Sequence, residues 1–213
     1  MSKINAVRLI NGNYNNNAYR ISDETLHFNG KSTLISLQNG GGKSVLVQML
    51  TAPFVHPKYR NTKDRLFESY FTTNKPSFIL VEWALDQGAG YVLTGLMVRK
   101  SQDMEEDRKE NLDIIGIVSE YQSPCIQDIH HLPVVEKGKK EMILKNFNSC
   151  RQLFETYKKD RDMKFFYYDL TNYAQSRQYF NKLMEYQINY KEWETIIKKI
   201  NLKESGLSDL FAD

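Results

Sequence analysis

The chain has 213 residues, of which 41% are hydrophobic and 12% aromatic, and its net charge is +3. This length and composition suit a folded protein with a sizeable core and exclude an intrinsically disordered chain. The charge is too small to indicate nucleic-acid binding by itself. No apolar run approaches the ~20 residues of a membrane-spanning helix, and the N-terminus lacks a signal region, so we expect a cytoplasmic protein without membrane contact.

Short strands are predicted over the first forty residues. A first strand spans 4–10 and is expected to break at 11–13 (Asn-Gly-Asn), and two further short strands cover 18–21 and 25–28. The apolar, β-branched segment 32–37 predicts another strand, which leads into a glycine-rich loop. Several strands before such a loop are unusual for a small GTPase or kinase and indicate a family with an added N-terminal β-layer.

The glycine-rich loop is the strongest functional motif. Residues 45–50 after it have the spacing of a helix packed on a sheet, and strand, glycine-rich loop and helix opening with Lys-Ser form the context of a phosphate-binding loop. Glycines let successive N–H groups point into one concave nest, and the helix N-terminus adds partial positive charge. The candidate nucleotide-binding residues are Asn39, Gly40, Gly41, Gly42, Lys43 and Ser44.

Two of these residues have specific roles in this interpretation. Lys43 reaches the β- and γ-phosphates of the nucleotide, and the Ser44 hydroxyl ligates Mg²⁺. The loop departs from the usual pattern at Leu37, where a glycine normally stands five residues before Gly42. The alternative is therefore a glycine-rich turn with an incidental lysine.

The residues after the first helix are predicted to be irregular. The helix is expected to end near Pro53, because proline prevents its continuation. Residues 60–65 are polar and basic and are predicted to form a solvated loop; the alternative is that their basic side chains approach the nucleotide phosphates. A short helix over 66–71 follows.

The strongest β signal lies in the middle of the chain. Two β-rich runs, 77–85 and 90–98, flank a glycine-containing connection and predict an antiparallel hairpin. The charged run 101–111 predicts an exposed loop, and 113–121 and 142–144 predict strands.

The possible metal ligands in this region do not form a ligand pattern. His130 and His131 are neighbours, which do not easily share one coordination sphere, and no Cys or His stands at ligand spacing, so a surface loop is predicted. Cys125 and Cys150 are predicted to be core thiols in a reducing compartment. The lysine-rich turn 137–140 is predicted to be solvated.

The character of the sequence changes near residue 146. We predict one domain over 1–213, in which 1–145 is strand-rich and 146–213 is helix-rich. Its predicted elements are a helix over 148–158, a strand over 163–168, helices over 172–185 and 190–200, a break at 201–206 and a helix over 207–211. The side chains expected to be buried in these helices are Tyr173, Tyr179, Phe180, Leu183, Met184, Trp193, Ile196, Ile197 and Ile200.

The loop and the strands around it resemble the N-terminal half of the ATPase head of the SMC (structural maintenance of chromosomes) family. Its ABC-type heads use a loop with an asparagine before the glycines, as in Asn39–Ser44. The resemblance is specific over about 4–50 and architectural over 76–98, and Muk-type condensins and Wadjet-type plasmid-defence ATPases are the most similar branches. It implies an α/β, P-loop ABC-ATPase-like half-head with a mixed sheet, an antiparallel β-layer and a helical C-terminal part leading towards a coiled coil.

The resemblance also implies cofactors and partners. These are ATP and Mg²⁺, a C-terminal half-head, a second head in a homodimer, and DNA. In the family the C-terminal half supplies the acidic magnesium motif with its catalytic glutamate and the signature motif. Here Glu82 and Asp169 are weak candidates for an acidic motif, and no Leu-Ser-Gly-Gly-type signature occurs. The candidates for the glutamine-loop residue are Gln122, Gln175 and Gln187.

Three functions follow from these patterns. The first is the nucleotide-binding half of a DNA-acting ATPase for chromosome segregation or plasmid and phage defence, with ATP-gated head engagement. We expect this chain alone to bind nucleotide weakly and to hydrolyse it poorly, because nothing orients the attacking water. The second is an interaction or structural module with a degenerate phosphate loop. The third, a stand-alone kinase or GTPase, predicts an Asn-Lys-x-Asp motif that the chain lacks.

Overall fold

The computed structural model of the chain describes residues 2–14, 19–29, 43–103 and 106–204. Within these ranges the chain is mixed α/β, with eight strands and five α-helices. The strands are β1 (Lys3–Tyr14), β2 (Tyr19–His27), β3 (Ser77–Ala84), β4 (Tyr91–Lys100), β5 (Leu112–Tyr121), β6 (Val135–Lys137), β7 (Met142–Leu144) and β8 (Lys164–Asp169). The helices are α1 (Lys43–Thr51), α2 (Pro57–Arg60), α3 (Phe147–Lys159), α4 (Tyr173–Glu185) and α5 (Tyr190–Glu204).

Six of the strands form one sheet in the order β2-β1-β3-β4-β5-β8, and β6 pairs with β7 in a separate hairpin. Every neighbouring pair in the large sheet is antiparallel. The predicted β3–β4 hairpin and antiparallel layer are therefore confirmed. The resemblance implies a mixed sheet, but no parallel pair occurs among the described strands. The predicted strand 32–37 lies outside the described residues.

The first two strands are longer than the sequence indicates. β1 continues through Asn11, which has a positive φ of 54°, and pairs with β2 as far as Tyr14, so the predicted break at 11–13 is wrong. Asn11 is accommodated because its carbonyl accepts the Ser77 hydroxyl at 2.7 Å and its amide donates to the Pro76 carbonyl at 3.1 Å.

β2 is one strand where two were predicted. Asp23, which was expected to interrupt it, lies opposite Ile10 of β1. Its carboxylate accepts hydrogen bonds from Arg8 Nε at 2.9 Å and from Nη2 at 2.8 Å. This paired arginine compensates the acidic side chain, so the strand continues through a polar segment.

The sheet is covered on both faces, because alternate side chains of each strand point in opposite directions. The face carrying Ile79, Val81 and Trp83 packs against α1, α4 and α5 and is called the α1 face. The face carrying Phe78 and Leu80 packs against α3 and the segment before β6 and is called the α3 face. The strand β8 joins the sheet beside β5, so the helix-rich part of the chain supplies an edge strand as well as helices.

The predicted buried stripe of α4 is correct at its centre and wrong at its edges. Tyr179, Phe180 and Leu183 are buried, with 0%, 3% and 0% exposure. Tyr173 is 79% exposed and Met184 is 40% exposed, so both predictions of burial are wrong. Tyr173 is the first residue of the helix, and Met184 lies at the border of the stripe.

The same pattern holds in α5. Ile197 is buried as predicted and Trp193 is half-buried against the α1 face, whereas Ile196 is 44% exposed. The side chain of Ile200 lies outside the described residues. α5 runs to Glu204, so the predicted break at 201–206 begins too early. The predicted helix 207–211 lies outside the described residues.

The two cysteines are free. Cys150 is fully buried in α3, which raises the pKa of its thiol to about 12, and Cys125 is half-buried. No helix among the described ranges has the length and apolarity needed to cross a bilayer.

The loop between β5 and β6 is organised by Asp128, whose side chain has no exposed surface. The carboxylate accepts the backbone N–H groups of Cys125 at 2.9 Å, His130 at 2.9 Å and His131 at 2.8 Å. Burial raises the pKa of this carboxyl, but the N–H donors and the His131 ring outweigh it, and the pKa lies below its ordinary value. The loop therefore depends on an ionised Asp128.

We expect acid to weaken the fold through Asp128. Because the folded-state pKa is depressed, its stabilisation is complete above the ordinary pKa of 3.8 and is lost as the pH falls through the folded-state value. We expect Asp128→Asn to be less stable than the wild type at both pH 7 and pH 3. We also expect its free energy of unfolding to fall less than that of the wild type when the pH is lowered from 7 to 3. Urea unfolding at the two pH values measures both differences. An equal loss in the two proteins contradicts this role.

Candidate nucleotide-binding site

The last two residues of the predicted phosphate-binding loop are the first two residues of α1. These are Lys43 and Ser44, and residues 39–42 lie outside the described residues. The first N–H groups of an α-helix have no intrahelical partners and carry the positive end of the helix dipole. The first turn of α1 contains no acidic residue that would compete for them. The described backbone therefore provides a helix N-terminus at the predicted position.

α1 is held against the sheet by its apolar side. Val45 and Met49, one helical turn apart, are 2% and 7% exposed and belong to the core of the α1 face. Val47 on the outer side is 40% exposed. The direction in which the helix N-terminus points is therefore fixed by the core, and the predicted helix after the loop is confirmed.

A single glutamine ties the following loop to α1. Gln48 is buried, and its amide Nε2 donates to the carbonyl of Arg60 at 2.6 Å and to that of Arg65 at 3.3 Å. Its Oε1 accepts the hydroxyl of Tyr70 at 2.7 Å. This role of Gln48 is not predicted from the sequence, although a polar residue between the buried positions 45 and 49 is a signal that could indicate it.

Arg60 is not the solvated side chain that was predicted. It is 2% exposed, and its Nε donates to the Ala52 carbonyl at 3.0 Å, whereas Lys63 and Arg65 are exposed as expected. Ala52 lies nine residues after Lys43, which is about 13 Å along a helix. The Arg60 guanidinium is therefore at the end of α1 that is remote from the phosphate loop, and this argues against a phosphate contact.

Arg60 and Glu110 influence each other's ionisation. Burial lowers the pKa of the Arg60 guanidinium, and the Glu110 carboxylate opposes this effect. Burial raises the pKa of Glu110, and the positive charge of Arg60 opposes that effect in turn. Arg60 Nη1 and Glu110 Oε1 have no hydrogen-bond partner within the described part of the chain. The two charges thus compensate each other electrostatically, with neither of those atoms hydrogen-bonded.

The C-terminal end of α1 is fastened by the helices of the second half of the chain. The hydroxyl of Tyr179 in α4 donates to the Pro53 carbonyl at 2.7 Å. The His56 backbone N–H donates to the Glu194 carboxylate of α5 at 3.1 Å, and the His56 ring is bonded to the same carboxylate. α4 and α5 thus hold α1 from the end opposite to the phosphate loop.

The acidic candidate Glu82 lies on the wrong side of the sheet for a magnesium ligand at α1. It is 2% exposed, accepts the Asn5 amide at 2.8 Å and is bonded to the Tyr121 hydroxyl on the α3 face. Asp169, the other candidate, ends β8 and accepts the Thr171 N–H at 3.0 Å and its hydroxyl at 2.6 Å. Both carboxylates therefore have structural partners away from the start of α1.

The three glutamine-loop candidates have different environments. Gln122 donates to the Ala89 carbonyl at 3.1 Å, and Gln175 in α4 accepts the Asp169 N–H at 3.0 Å. Gln187 is exposed and has a positive φ of 61°. Neither of these two hydrogen bonds connects a candidate to α1.

No model of a known protein family matches this chain, and no curated protein sequence matches it. The function is therefore inferred from the loop sequence and from the position of α1.

Proposed function

We propose that the chain is the nucleotide-binding half of an SMC-like, ABC-type ATPase head that binds ATP with Mg²⁺. The observation that carries this proposal is the position of α1, which begins at Lys43 directly after the glycine-rich loop. Val45 and Met49 seat this helix on an antiparallel sheet, so that its N-terminus is presented at a fixed point. A helix N-terminus preceded by glycines is an anion site well suited to phosphates.

The loop residues have different roles in the proposed binding of the nucleotide. The backbone N–H groups of residues 39–44 surround the phosphates, the Lys43 ammonium contacts the β- and γ-phosphates, and the Ser44 hydroxyl ligates Mg²⁺. The hydrogen bonds of Gln48 and Tyr179 support these roles, because they tie α1 and the residues after it to neighbouring parts of the fold.

The hydrolytic step requires a group that neither acidic candidate of the described residues, Glu82 or Asp169, supplies at α1. Phosphoryl transfer to water needs a residue that orients the water, and Glu82 is engaged on the opposite face of the sheet. In the proposal a C-terminal half-head supplies the catalytic carboxylate, and a second head in a homodimer completes the ATP site. ATP-gated engagement of the two heads would then act on DNA in the cytoplasm, in chromosome segregation or in plasmid and phage defence.

Titration with a fluorescent ATP analogue tests the binding step. We expect Mg²⁺-dependent binding by the wild type, weakened about ten- to hundredfold in Lys43→Ala, because hydrogen bonds to charged groups contribute about 1.5–3 kcal/mol. Lys63→Ala is the matched control, since Lys63 is an exposed lysine of the following loop and its loss should leave binding unchanged. Equal affinities for the two variants would refute the assignment of Lys43.

The second candidate function is an interaction module with a degenerate loop. Leu37, in place of the usual glycine, is the observation that favours it. It predicts that the folded wild-type chain shows no Mg²⁺-dependent binding of the ATP analogue and that Lys43→Ala changes nothing.

A further inference from the structure

His27 and His130 come together from distant parts of the sequence. His27 is the last residue of β2, and His130 lies in the loop between β5 and β6. Their Nε2 atoms are 3.4 Å apart, their ring centroids are separated by 5.1 Å, and the ring planes differ by 20°. Both side chains are exposed, so the space around the two nitrogens is open to solvent.

Two imidazole nitrogens at this distance are close enough to share a proton or a metal ion. A neutral imidazole carries one N–H and one lone pair, so a ring can donate to its neighbour or offer its lone pair to a metal ion. The pair can therefore form a hydrogen bond through one proton or supply half of a metal site.

The separation of the nitrogens matches metal coordination. Two nitrogens that each lie about 2.0–2.1 Å from a tetrahedral Zn²⁺ are about 3.3 Å apart, and their ring centroids are about 5 Å apart. The observed values are 3.4 Å and 5.1 Å. Both distances are therefore compatible with two rings that ligate one ion.

The backbones that carry the two rings are held in place. His27 pairs with Ala6 of β1, and the backbone N–H of His130 donates to the buried Asp128 carboxylate at 2.9 Å. The neighbouring His131 places its Nδ1 2.8 Å from the same carboxylate. His131 is thus bound to Asp128, and His130 is left to face His27.

We propose that His27 and His130 bind a first-row divalent transition metal, with Zn²⁺ as the best fit, through their Nε2 atoms. Imidazole is a good ligand for Zn²⁺, Ni²⁺ and Cu²⁺. No cluster of three or more His, Cys, Asp or Glu side chains suited to a metal occurs in the described ranges, so the described residues supply two ligands and water can occupy the other positions. Such an open site can also accept a side chain of a binding partner. The proposal is independent of the nucleotide site.

Calorimetric titration of the metal-free full chain with ZnCl₂, in buffer without nucleotide, tests the proposal. We expect one Zn²⁺ per chain. Each of His27→Gln and His130→Gln should weaken binding at least about tenfold, since loss of an outer-shell partner alone costs 10–100-fold. His131→Gln is the matched control, and it should bind Zn²⁺ as the wild type does. Circular dichroism establishes that each variant is folded.

Histidine ¹⁵N spectra of the wild type provide a readout that needs no variant. Zn²⁺ should shift the Nε2 resonances of two histidine rings and leave the other two unchanged. The proposal is overturned if the wild type takes up no Zn²⁺, if His27→Gln binds it unchanged, or if the spectra show no shifted ring pair. The two histidines would then share only a proton.

Discussion

Arg60→Ala is expected to lower the free energy of unfolding by about 1.5–3 kcal/mol, because it removes a buried charged group together with its hydrogen bond. Arg60 is 2% exposed, and its positive charge opposes the effect of burial on the half-buried Glu110 carboxyl. The substitution also removes the donor that Arg60 Nε supplies to the Ala52 carbonyl at the end of α1. With a total stability of about 5–15 kcal/mol for an ordinary domain, such a loss is a large share. Urea unfolding measures it directly.

Two further variants separate the charge effect from the loss of packing. Lys63→Ala, an exposed neighbour in the same loop, should change stability by no more than about 0.5 kcal/mol. The double variant Arg60→Ala/Glu110→Gln should recover part of the loss, because the uncompensated carboxylate is then gone. An Arg60→Ala protein within about 1 kcal/mol of the wild type would show that the buried guanidinium has little importance for the fold.

Tyr179→Ala is expected to lower the free energy of unfolding by about 3–5 kcal/mol, because it removes a large buried aromatic ring. The ring is fully buried against Gly116 of β5, where a Cβ atom would approach its carbons to 2.8 Å. The hydroxyl is bonded to the Pro53 carbonyl beyond α1. Truncation therefore opens a cavity on the α1 face and releases α4 from the end of α1.

The matched variants of Tyr179 divide this effect into its parts. Tyr179→Phe keeps the ring and loses only the hydrogen bond, so we expect its free energy of unfolding to fall by about 1 kcal/mol. Tyr173→Ala removes a tyrosine of the same helix that is 79% exposed and should be nearly neutral. Thermal unfolding of the three proteins gives the order. A similar loss for Tyr179→Ala and Tyr173→Ala would contradict the packing described for α4.

Local patterns predicted those parts of the fold that local interactions determine. The β3–β4 hairpin follows from alternating β-branched residues around a glycine-containing turn, and α1 starts at Lys43 as the loop sequence indicates. β1 was predicted to break at 11–13 and β2 was predicted as two strands. The contacts that carry the strands through, of Asn11 with Ser77 and of Asp23 with Arg8, join distant residues and are not contained in single-strand propensities. The predicted burial of side chains in α4 and α5 is wrong only at the borders of the buried stripes, among the described side chains. At these borders a small rotation of the helix decides whether a side chain is exposed.

The parts of the site that sequence reasoning missed depend on contacts between distant residues. Gln48 and Arg60 look like solvent-facing polar residues until the carbonyl groups and the carboxylate that surround them are known. In the sequence His130 is next to His131, but in the fold its ring lies beside that of His27, 103 positions away. The glycine-rich loop itself stays a prediction from its sequence.

A crystal structure of the chain grown with Mg²⁺ and a non-hydrolysable ATP analogue tests the central claim most directly. The proposal predicts the triphosphate against the backbone N–H groups of residues 39–44, with Mg²⁺ on the Ser44 hydroxyl and the Lys43 ammonium at the β- and γ-phosphates. A structure from saturating nucleotide in which the start of α1 holds no phosphate, and in which Lys43 is paired with a carboxylate, would contradict it.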